Sequence, residues 1–143
     1  MILIARPVLD DIRAHAQQEQ PRECCGMLIG SEGRIVSHAR ARNLADGTTR
    51  FLIDPVDHIR AMRDSRHQGL DVVGFYHSHP NSPAYPSATD IEECGYFGVL
   101  HLIAGIEAAQ PQLRLFRLDE TCVTELTYRV VERQGFPLLT SNF

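Results

Sequence analysis

The chain has 143 residues, 43% of them hydrophobic, and this size and apolar content suit one globular domain with its own core over residues 1–143. Its formal net charge is −4, and the 14 basic residues are dispersed among 18 acidic ones, which excludes the basic stripe expected of a nucleic-acid-binding protein. The sequence contains no apolar run typical of a transmembrane helix or a secretory signal, so we expect a soluble, cytoplasmic protein with no membrane partner.

The first part of the chain predicts a helix followed by a hairpin. Apolar residues recur at helical spacing over residues 8–16, and Pro21 marks the latest point at which this first helix can end. The apolar, glycine-bounded run 24–30 predicts a buried strand. Residues 31–33 then form a turn, and residues 34–39 return as the second strand of the hairpin.

A third short strand is predicted over residues 51–53, directly before a second helix. Asp54 is a favourable N-cap for this helix, and Pro55 suits the first helical position because it has no N–H group to leave unpaired. The helix is expected to end near Gly69. Its apolar stripe consists of Val56, Ile59 and Met62.

The clearest strand pattern covers residues 71–77, which are almost uninterruptedly apolar. A run without polar alternation indicates a strand covered on both faces, and therefore a central position in the sheet. Prolines keep residues 80–86 irregular, and residues 87–90 begin a short helix with the pattern of a capping box. Three further strands are predicted over residues 99–104, 113–118 and 122–131.

Residues with metal-binding chemistry are concentrated at the end of the predicted central strand. His77 and His79 are two residues apart on extended backbone, so their imidazoles point to the same side and can bind one ion. Asp90 follows His79 after a proline-rich loop and can supply a carboxylate as the third ligand. Two histidines and one carboxylate leave the fourth position of a tetrahedral zinc site open to water, as is typical of catalytic sites.

These three residues belong to a longer motif. The sequence His-Ser-His-Pro occupies residues 77–80, Ser87 follows after six residues, Asp90 follows after two more, and Glu-Cys-Cys-Gly lies upstream at residues 23–26. The motif resembles that of the JAMM (MPN-plus) metallopeptidases, which is H-x-H-P, six or seven residues, S-x-x-D and a distant Glu. With background residue frequencies, the five fixed positions would arise by accident in about one such chain in 10⁴ to 10⁵.

The resemblance implies a role for each motif residue. His77, His79 and Asp90 would bind one Zn²⁺ per chain, and Glu23 would be the general acid and base that activates water. Ser87 would donate a hydrogen bond to the oxygen of the tetrahedral intermediate. Nothing in the local spacing brings Glu23 to the metal, so its role follows from the resemblance alone.

The same resemblance implies a fold and a substrate. The expected fold class is α/β, a single JAMM/MPN domain with a cytidine-deaminase-like layout, in which helices flank a curved mixed β-sheet. The expected reaction is hydrolysis of a peptide or isopeptide bond after the C-terminal Gly of a ubiquitin-like or sulfur-carrier protein that ends in Gly-Gly. The short chain resembles the compact, stand-alone prokaryotic members of the family.

Two other functions compete with this one. A non-catalytic MPN scaffold would hold partners together without a metal, but relatives of that kind have usually lost the ligands that this chain retains. A thiol protease would use Cys24 or Cys25 together with His77. Against the thiol protease, a residue that starts an apolar strand is more often buried, and no third group that would orient the histidine is evident. The cysteine spacing matches no disulfide framework or Cys-rich zinc site and favours buried free thiols at Cys24, Cys25, Cys94 and Cys122.

Overall fold

A computed structural model of the chain describes residues 1–93, 98–106, 112–119 and 122–132, which form one mixed β-sheet with helices packed against it. The helices are α1 Arg6–Glu19, α2 Pro55–His67 and α3 Ala88–Glu93. The strands are β1 Ile2–Ala5, β2 Cys25–Ser31, β3 Arg34–Ala41, β4 Asp71–His79, β5 Leu100–Gly105, β6 Gln112–Leu118, β7 Val123–Leu126 and β8 Tyr128–Val131.

The strand order of the sheet is β7-β6-β5-β4-β2-β3-β1-β8, so β4 lies in its middle. β4 is antiparallel to β2 on one side and parallel to β5 on the other. Its second half is fully buried, which confirms the central strand expected from the apolar run 71–77. Among the described residues, no helix is long and apolar enough to cross a membrane.

The two longer helices cover opposite faces of the sheet. Ile12 of α1 packs in the same cluster as Tyr76, whereas Ala61 of α2 packs in the same cluster as Phe75. Phe75 and Tyr76 are neighbours on β4, and successive side chains of a strand point to opposite faces. The expected α/β architecture, a mixed sheet flanked by helices, is therefore confirmed.

Polar side chains fasten α1 to the strands beneath it. Asp11 receives two hydrogen bonds from the guanidinium of Arg40 on β3, at 2.7 and 3.0 Å. His15 Nδ1 lies 2.9 Å from the hydroxyl oxygen of Tyr76, which is fully buried on β4. A Cβ atom on Gly26 would come within 2.3 Å of the Tyr76 ring, so only glycine fits beside it. The contacts of Tyr76 hold β4 against α1 and β2 directly before His77.

The apolar stripe predicted for α2 does not face the core. Val56 and Ile59 are 54% and 64% exposed, and the residues that α2 buries are Ala61 and Ser65. Ala61 and Ser65 are four residues apart and so share one helix face, and their small side chains allow the helix axis to approach the sheet closely. The helix itself was predicted correctly, with Asp54 as its N-cap.

The predicted third strand at residues 51–53 is wrong. The segment forms only an isolated antiparallel bridge between Ile53 and Asn43, in which the Leu52 carbonyl accepts the N–H of Leu44. The N–H of Leu52 is bound by the side-chain oxygen of Asn43, and this satisfies a group that a neighbouring strand would otherwise pair. Conversely, the sequence did not indicate β1, the short strand Ile2–Ala5 that precedes α1.

The last predicted strand, residues 122–131, is divided into two strands that serve opposite ends of the sheet. β7 pairs with β6 in antiparallel fashion, and β8, after the single residue Thr127, pairs with β1 in parallel fashion. The hydroxyl of Tyr128 on β8 also donates to the backbone oxygen of Leu113 on β6, at 2.6 Å. The sheet therefore curves so strongly that its two edge strands, β7 and β8, are joined through Thr127.

The cysteines only partly follow the expectation of buried free thiols. Cys24 and Cys25 are free and buried, as predicted. Cys122 is free but exposed, because it directly precedes β7 at the outer end of the sheet. Cys94 lies outside the described residues.

Candidate metal centre

The end of β4 brings three side chains together at one point. His77 and His79 lie on the same side of the strand, and their Nε2 atoms are 3.1 Å apart. Oδ2 of Asp90, from the first turn of α3, lies 3.1 Å from Nε2 of His77 and 3.0 Å from Nε2 of His79. The side chains of all three are at most 7% exposed. Three potential ligand atoms thus converge in a buried site.

One ring nitrogen of each histidine faces Asp90. Nδ1 of His79 lies 2.7 Å from the backbone oxygen of Pro83, and because a carbonyl only accepts, Nδ1 must carry the hydrogen. Burial lowers the pKa of His77 and favours its neutral form. Burial also opposes protonation of His79, but the hydrogen bonds to Asp90 and Pro83 outweigh it and raise the pKa of His79. A cation bound between these side chains would replace the proton that otherwise joins His79 to Asp90.

Glu23 reaches the same site through the register of β2 against β4. Cys25 pairs with His77 across the antiparallel ladder, so the residue opposite His79 is Glu23, two positions earlier in the chain. One ligand atom from each of Glu23, His77, His79 and Asp90 can be chosen such that all four lie within 4.8 Å of one another. The structure therefore joins the upstream glutamate to the motif residues.

Ser78 fastens the segment of Glu23 to the strand of the histidines. The backbone N–H of Cys24 donates to the Ser78 hydroxyl at 2.8 Å, and the backbone N–H of Ser78 donates to the Cys24 carbonyl at 3.1 Å. The side chain of Ser78 is fully buried. Since Ser78 lies between the two histidines, these bonds fix the position of the Glu23 segment along β4 relative to them.

The carboxyl group of Glu23 is poorly solvated. The residue is 4% exposed, and within the described part of the chain its Oε1 atom is buried without a hydrogen-bond partner. Burial raises the pKa of the Glu23 carboxyl group to about 7. A buried oxygen without a partner is costly in a protein that has nothing further to bind there. The donor set and this oxygen together fit a metal ion with an associated water.

Ser87 lies beside this cluster and caps α3. Its backbone N–H donates to Oδ2 of Asp90 at 2.9 Å, and its hydroxyl accepts the backbone N–H of Asp90 at 3.0 Å. These reciprocal bonds form the predicted capping pattern and orient the Asp90 carboxylate. The residue is exposed, and its hydroxyl hydrogen is not used by the cap.

An apolar cavity of about 290 Å³ is lined in part by His77 and Asp90. Phe51 also lines it and stacks on the His77 ring, with the ring centroids 4.3 Å apart and the planes inclined by 20°. The sequence did not indicate Phe51, because only the folded chain brings residue 51 to residue 77. The other apolar residues that line the cavity are Leu52, Ile53, Pro55, Phe75, Pro86, Ile103 and Leu118.

The two cysteines beside Glu23 are unsuited to nucleophilic catalysis. Cys24 and Cys25 are 1% and 0% exposed. Burial raises the pKa of Cys24 to about 11 and that of Cys25 to about 12, so neither forms a thiolate near neutral pH.

Comparison with known proteins gives a consistent family. The family described as prokaryotic homologues of the JAB domain matches residues 5–119. A desampylase of Haloferax volcanii is 36% identical over 107 residues, which are 70% of this chain and 77% of that protein. A probable TtuB-protein conjugate cleaving protease of Thermus thermophilus is 30% identical over 122 residues, which are 84% of this chain and 78% of that protein.

A solved structure shows the same fold. The crystal structure of a JAB1/MPN domain protein from Archaeoglobus fulgidus superposes with a TM-score of 0.60 at 21% identity, covering 92% of this chain and 98% of that chain. The family match spans most of the present sequence, including Glu23 and the whole motif from His77 to Asp90. The chain therefore belongs to the prokaryotic homologues of the JAB domain, and so to the JAMM family of peptidases.

Proposed function

We propose that the chain is a zinc-dependent hydrolase of peptide or isopeptide bonds, acting after the C-terminal Gly of a ubiquitin-like or sulfur-carrier protein. The curated relatives support this substrate class, because one is a desampylase and another is a probable protease that cleaves TtuB-protein conjugates. The reaction would release such a carrier protein from the group that is joined to its C-terminus.

The observation that carries the proposal is the single buried cluster formed by Glu23, His77, His79 and Asp90. We assign the two histidines and Asp90 as the zinc ligands, because neutral imidazole nitrogens and a carboxylate oxygen are favoured zinc donors. We assign Glu23 as the proton-transfer group, because its buried Oε1 has no partner among the described residues. Three ligands with a separate acid and base suit a catalytic site better than a structural one.

The reaction requires a proton to be taken up and returned. Zinc in such a site supplies a water of lowered pKa and a positive charge that polarises the substrate carbonyl. Glu23 accepts a proton from the attacking water, a role suited to a buried carboxyl group that lies beside the proposed ligands. The same carboxyl group then donates the proton to the leaving nitrogen, which departs as an amine.

Ser87 serves the oxyanion in this proposal. Its hydroxyl oxygen accepts the Asp90 backbone N–H, which leaves the hydroxyl hydrogen free to donate to the substrate oxygen. A single donor to a developing oxyanion is worth about 10²- to 10³-fold in kcat in related hydrolases. Capping of α3 and donation to substrate use different atoms of Ser87 and are therefore compatible.

The burial of the groups in and beside this cluster favours the metallopeptidase over the two competing functions. A scaffold without metal would gain nothing from a buried Glu23 oxygen without a partner, since such an atom lowers stability. A thiol protease requires a reactive thiolate, and burial of Cys24 and Cys25 opposes ionisation of both thiols. The metallopeptidase is the function that uses all the buried polar groups of the site.

The test uses the purified chain with two substrates that share one ubiquitin-like protein ending in Gly-Gly. One is a linear fusion to a reporter, and the other is an isopeptide to a lysine side chain. We expect about one zinc per chain, cleavage after the terminal Gly, loss of cleavage in a chelator and its recovery with added zinc. Iodoacetamide should leave activity unchanged. Failure to bind zinc would favour the scaffold, and cleavage blocked by alkylation but not by chelation would favour the thiol protease.

A further inference from the structure

Asn43 lies two residues beyond β3 and uses its whole side-chain amide. Its Oδ1 accepts the backbone N–H groups of Ala45 and Leu52, each at 2.9 Å. Its Nδ2 donates to the backbone oxygen of Glu23 at 3.0 Å and to that of Arg50 at 3.2 Å. A flip of the Asn43 amide would direct its NH₂ group at two N–H donors and its oxygen at two carbonyls. These four bonds therefore define the orientation of the amide.

This one amide binds the backbone of two segments that contribute to the proposed metal centre. Its bond to the Glu23 carbonyl holds the main chain of the proposed acid and base. Its bonds to Arg50 and Leu52 hold the residues on both sides of Phe51, whose ring stacks on His77. Asn43 thus connects Glu23 to the aromatic ring that covers a proposed ligand.

Arg22, which directly precedes Glu23, also binds the loop that contains Asn43. Its Nη2 atom donates to the backbone oxygen of Asn43 at 2.9 Å and to that of Ala45 at 2.5 Å. Two consecutive residues, Arg22 and Glu23, are therefore tied to one loop. Such ties are required here because β2 begins only at Cys25, which leaves Glu23 outside the regular strand ladder.

We propose that Asn43 is a positioning residue that fixes the main chain of Glu23, and with it the carboxyl group, relative to His77. The proposal rests on the proposed role of Glu23 in proton transfer. The peptide group that joins Glu23 to Cys24 is held through both of its polar atoms, because its N–H donates to Ser78 and its carbonyl oxygen accepts from Asn43. A carboxyl group that must reach both water and leaving nitrogen requires its backbone to be fixed in this way.

The decisive variant is Asn43→Asp. It retains an oxygen that accepts from Ala45 and Leu52 but loses both donated bonds, to Glu23 and Arg50. We expect kcat to fall by about 10- to 100-fold while zinc affinity stays within about 3-fold, because the proposed ligands lie on β4 and α3. Asn43→Ala, which loses all four bonds, should reduce kcat at least as far. The matched control is Asn81→Asp at an exposed site near His79.

A second measurement does not depend on activity. The backbone N–H of Cys24 donates to the Ser78 hydroxyl and belongs to the same peptide group as the Glu23 carbonyl that Asn43 binds, so its hydrogen exchange reports on how firmly this peptide is held. We expect about 10-fold faster exchange of this N–H in both Asn43 variants. The N–H of Leu52 should exchange faster in Asn43→Ala only, since the carboxylate introduced by Asn43→Asp can still accept it.

Each outcome decides the question. Parental kcat and parental Cys24 exchange in Asn43→Asp would overturn the proposal. A loss of zinc affinity that parallels the loss of kcat would overturn it as well, because Asn43 would then support the entire site and not Glu23. If the parent protein hydrolyses neither substrate but the exchange result holds, the proposed function fails while the fixation of the Glu23 main chain stands.

Discussion

The proposed metal centre has two halves that the chain builds in different ways. The proposed ligand half, His77, His79 and Asp90, comes from one short stretch and is set by strand periodicity and a helix cap. The proposed base half, Glu23, is set by strand register and by side chains from distant segments. In this proposal a local motif holds the cation, whereas proton transfer depends on tertiary structure.

This difference predicts that damage to the two halves has separable effects. The largest is expected for His77→Ala, which removes a ligand and leaves two protein groups for the metal. The variant should lose stoichiometric zinc after dialysis, and kcat/KM should fall by at least about 10³-fold. His67→Ala, at an exposed position on α2, is the control and should behave like the parent. Retention of tightly bound zinc by His77→Ala would remove this residue from the ligand set.

Glu23→Gln should give the opposite separation, with zinc retained and kcat lowered by about 10²- to 10⁴-fold. The metal-free variant should also be more stable than its parent at pH 8. Burial raises the folded-state pKa of Glu23 from 4.5 to about 7, so ionisation destabilises the fold as pH rises from 4.5 and does so fully above 7. The gain is on the order of 3 kcal/mol and disappears at pH 4.

The stability difference is measured by denaturant unfolding at both pH values, with Glu19→Gln as a control because Glu19 is exposed. Full turnover by Glu23→Gln would contradict the proposed division of the site, since proton transfer would then proceed without this carboxyl group.

Ser78→Ala tests the connection between the halves and should have a smaller effect. The variant leaves the buried N–H of Cys24 without its acceptor, which costs about 1 to 3 kcal/mol of stability. Because Glu23 then loses one of its supports, kcat should fall more than zinc affinity does. Unfolding, zinc competition and kinetics measure the three quantities, and Ser82→Ala at an exposed position serves as control. Equal losses of kcat and zinc affinity would mean that Ser78 supports the ligand half instead.

The smallest expected effect is a shift in titration. In the metal-free protein, the Glu23 carboxyl group should titrate with a pKa of about 7, followed by its carboxyl carbon resonance in NMR. Zinc should lower this pKa, because a nearby positive charge favours the ionised form. An unchanged titration on addition of zinc would place Glu23 outside the influence of the bound ion and would separate the halves more completely than proposed.

The same contrast explains what the sequence could predict. His77, His79 and Asp90 were found together because their spacing implies one site. β4 and α2 were predicted from an unbroken apolar run and from a proline after an N-cap, both of which act locally. Glu23 could be identified only by resemblance, since its approach to His79 depends on how β2 pairs with β4.

The errors arise where distant groups override local preference. Residues 51–53 have the composition of a strand, but the side chain of Asn43 binds the backbone of Leu52 and leaves an isolated bridge instead. Val56 and Ile59 belong to the apolar stripe of α2, yet the helix packs through Ala61 and Ser65. The local sequence pattern predicts neither the isolated bridge nor the buried face of α2, because each depends on the surface against which the segment packs.

The junction at Thr127 has a consequence for how the molecule is made. Every proposed ligand and Glu23 have been synthesised by residue 90, but the segment 123–131 that joins both ends of the sheet is synthesised much later. Pairing between such distant segments forms late, since a large loop must close first. We therefore expect a nascent chain halted at Asp119 to carry the complete motif without a stable fold, so that hydrolytic capacity arises only once translation has passed β8.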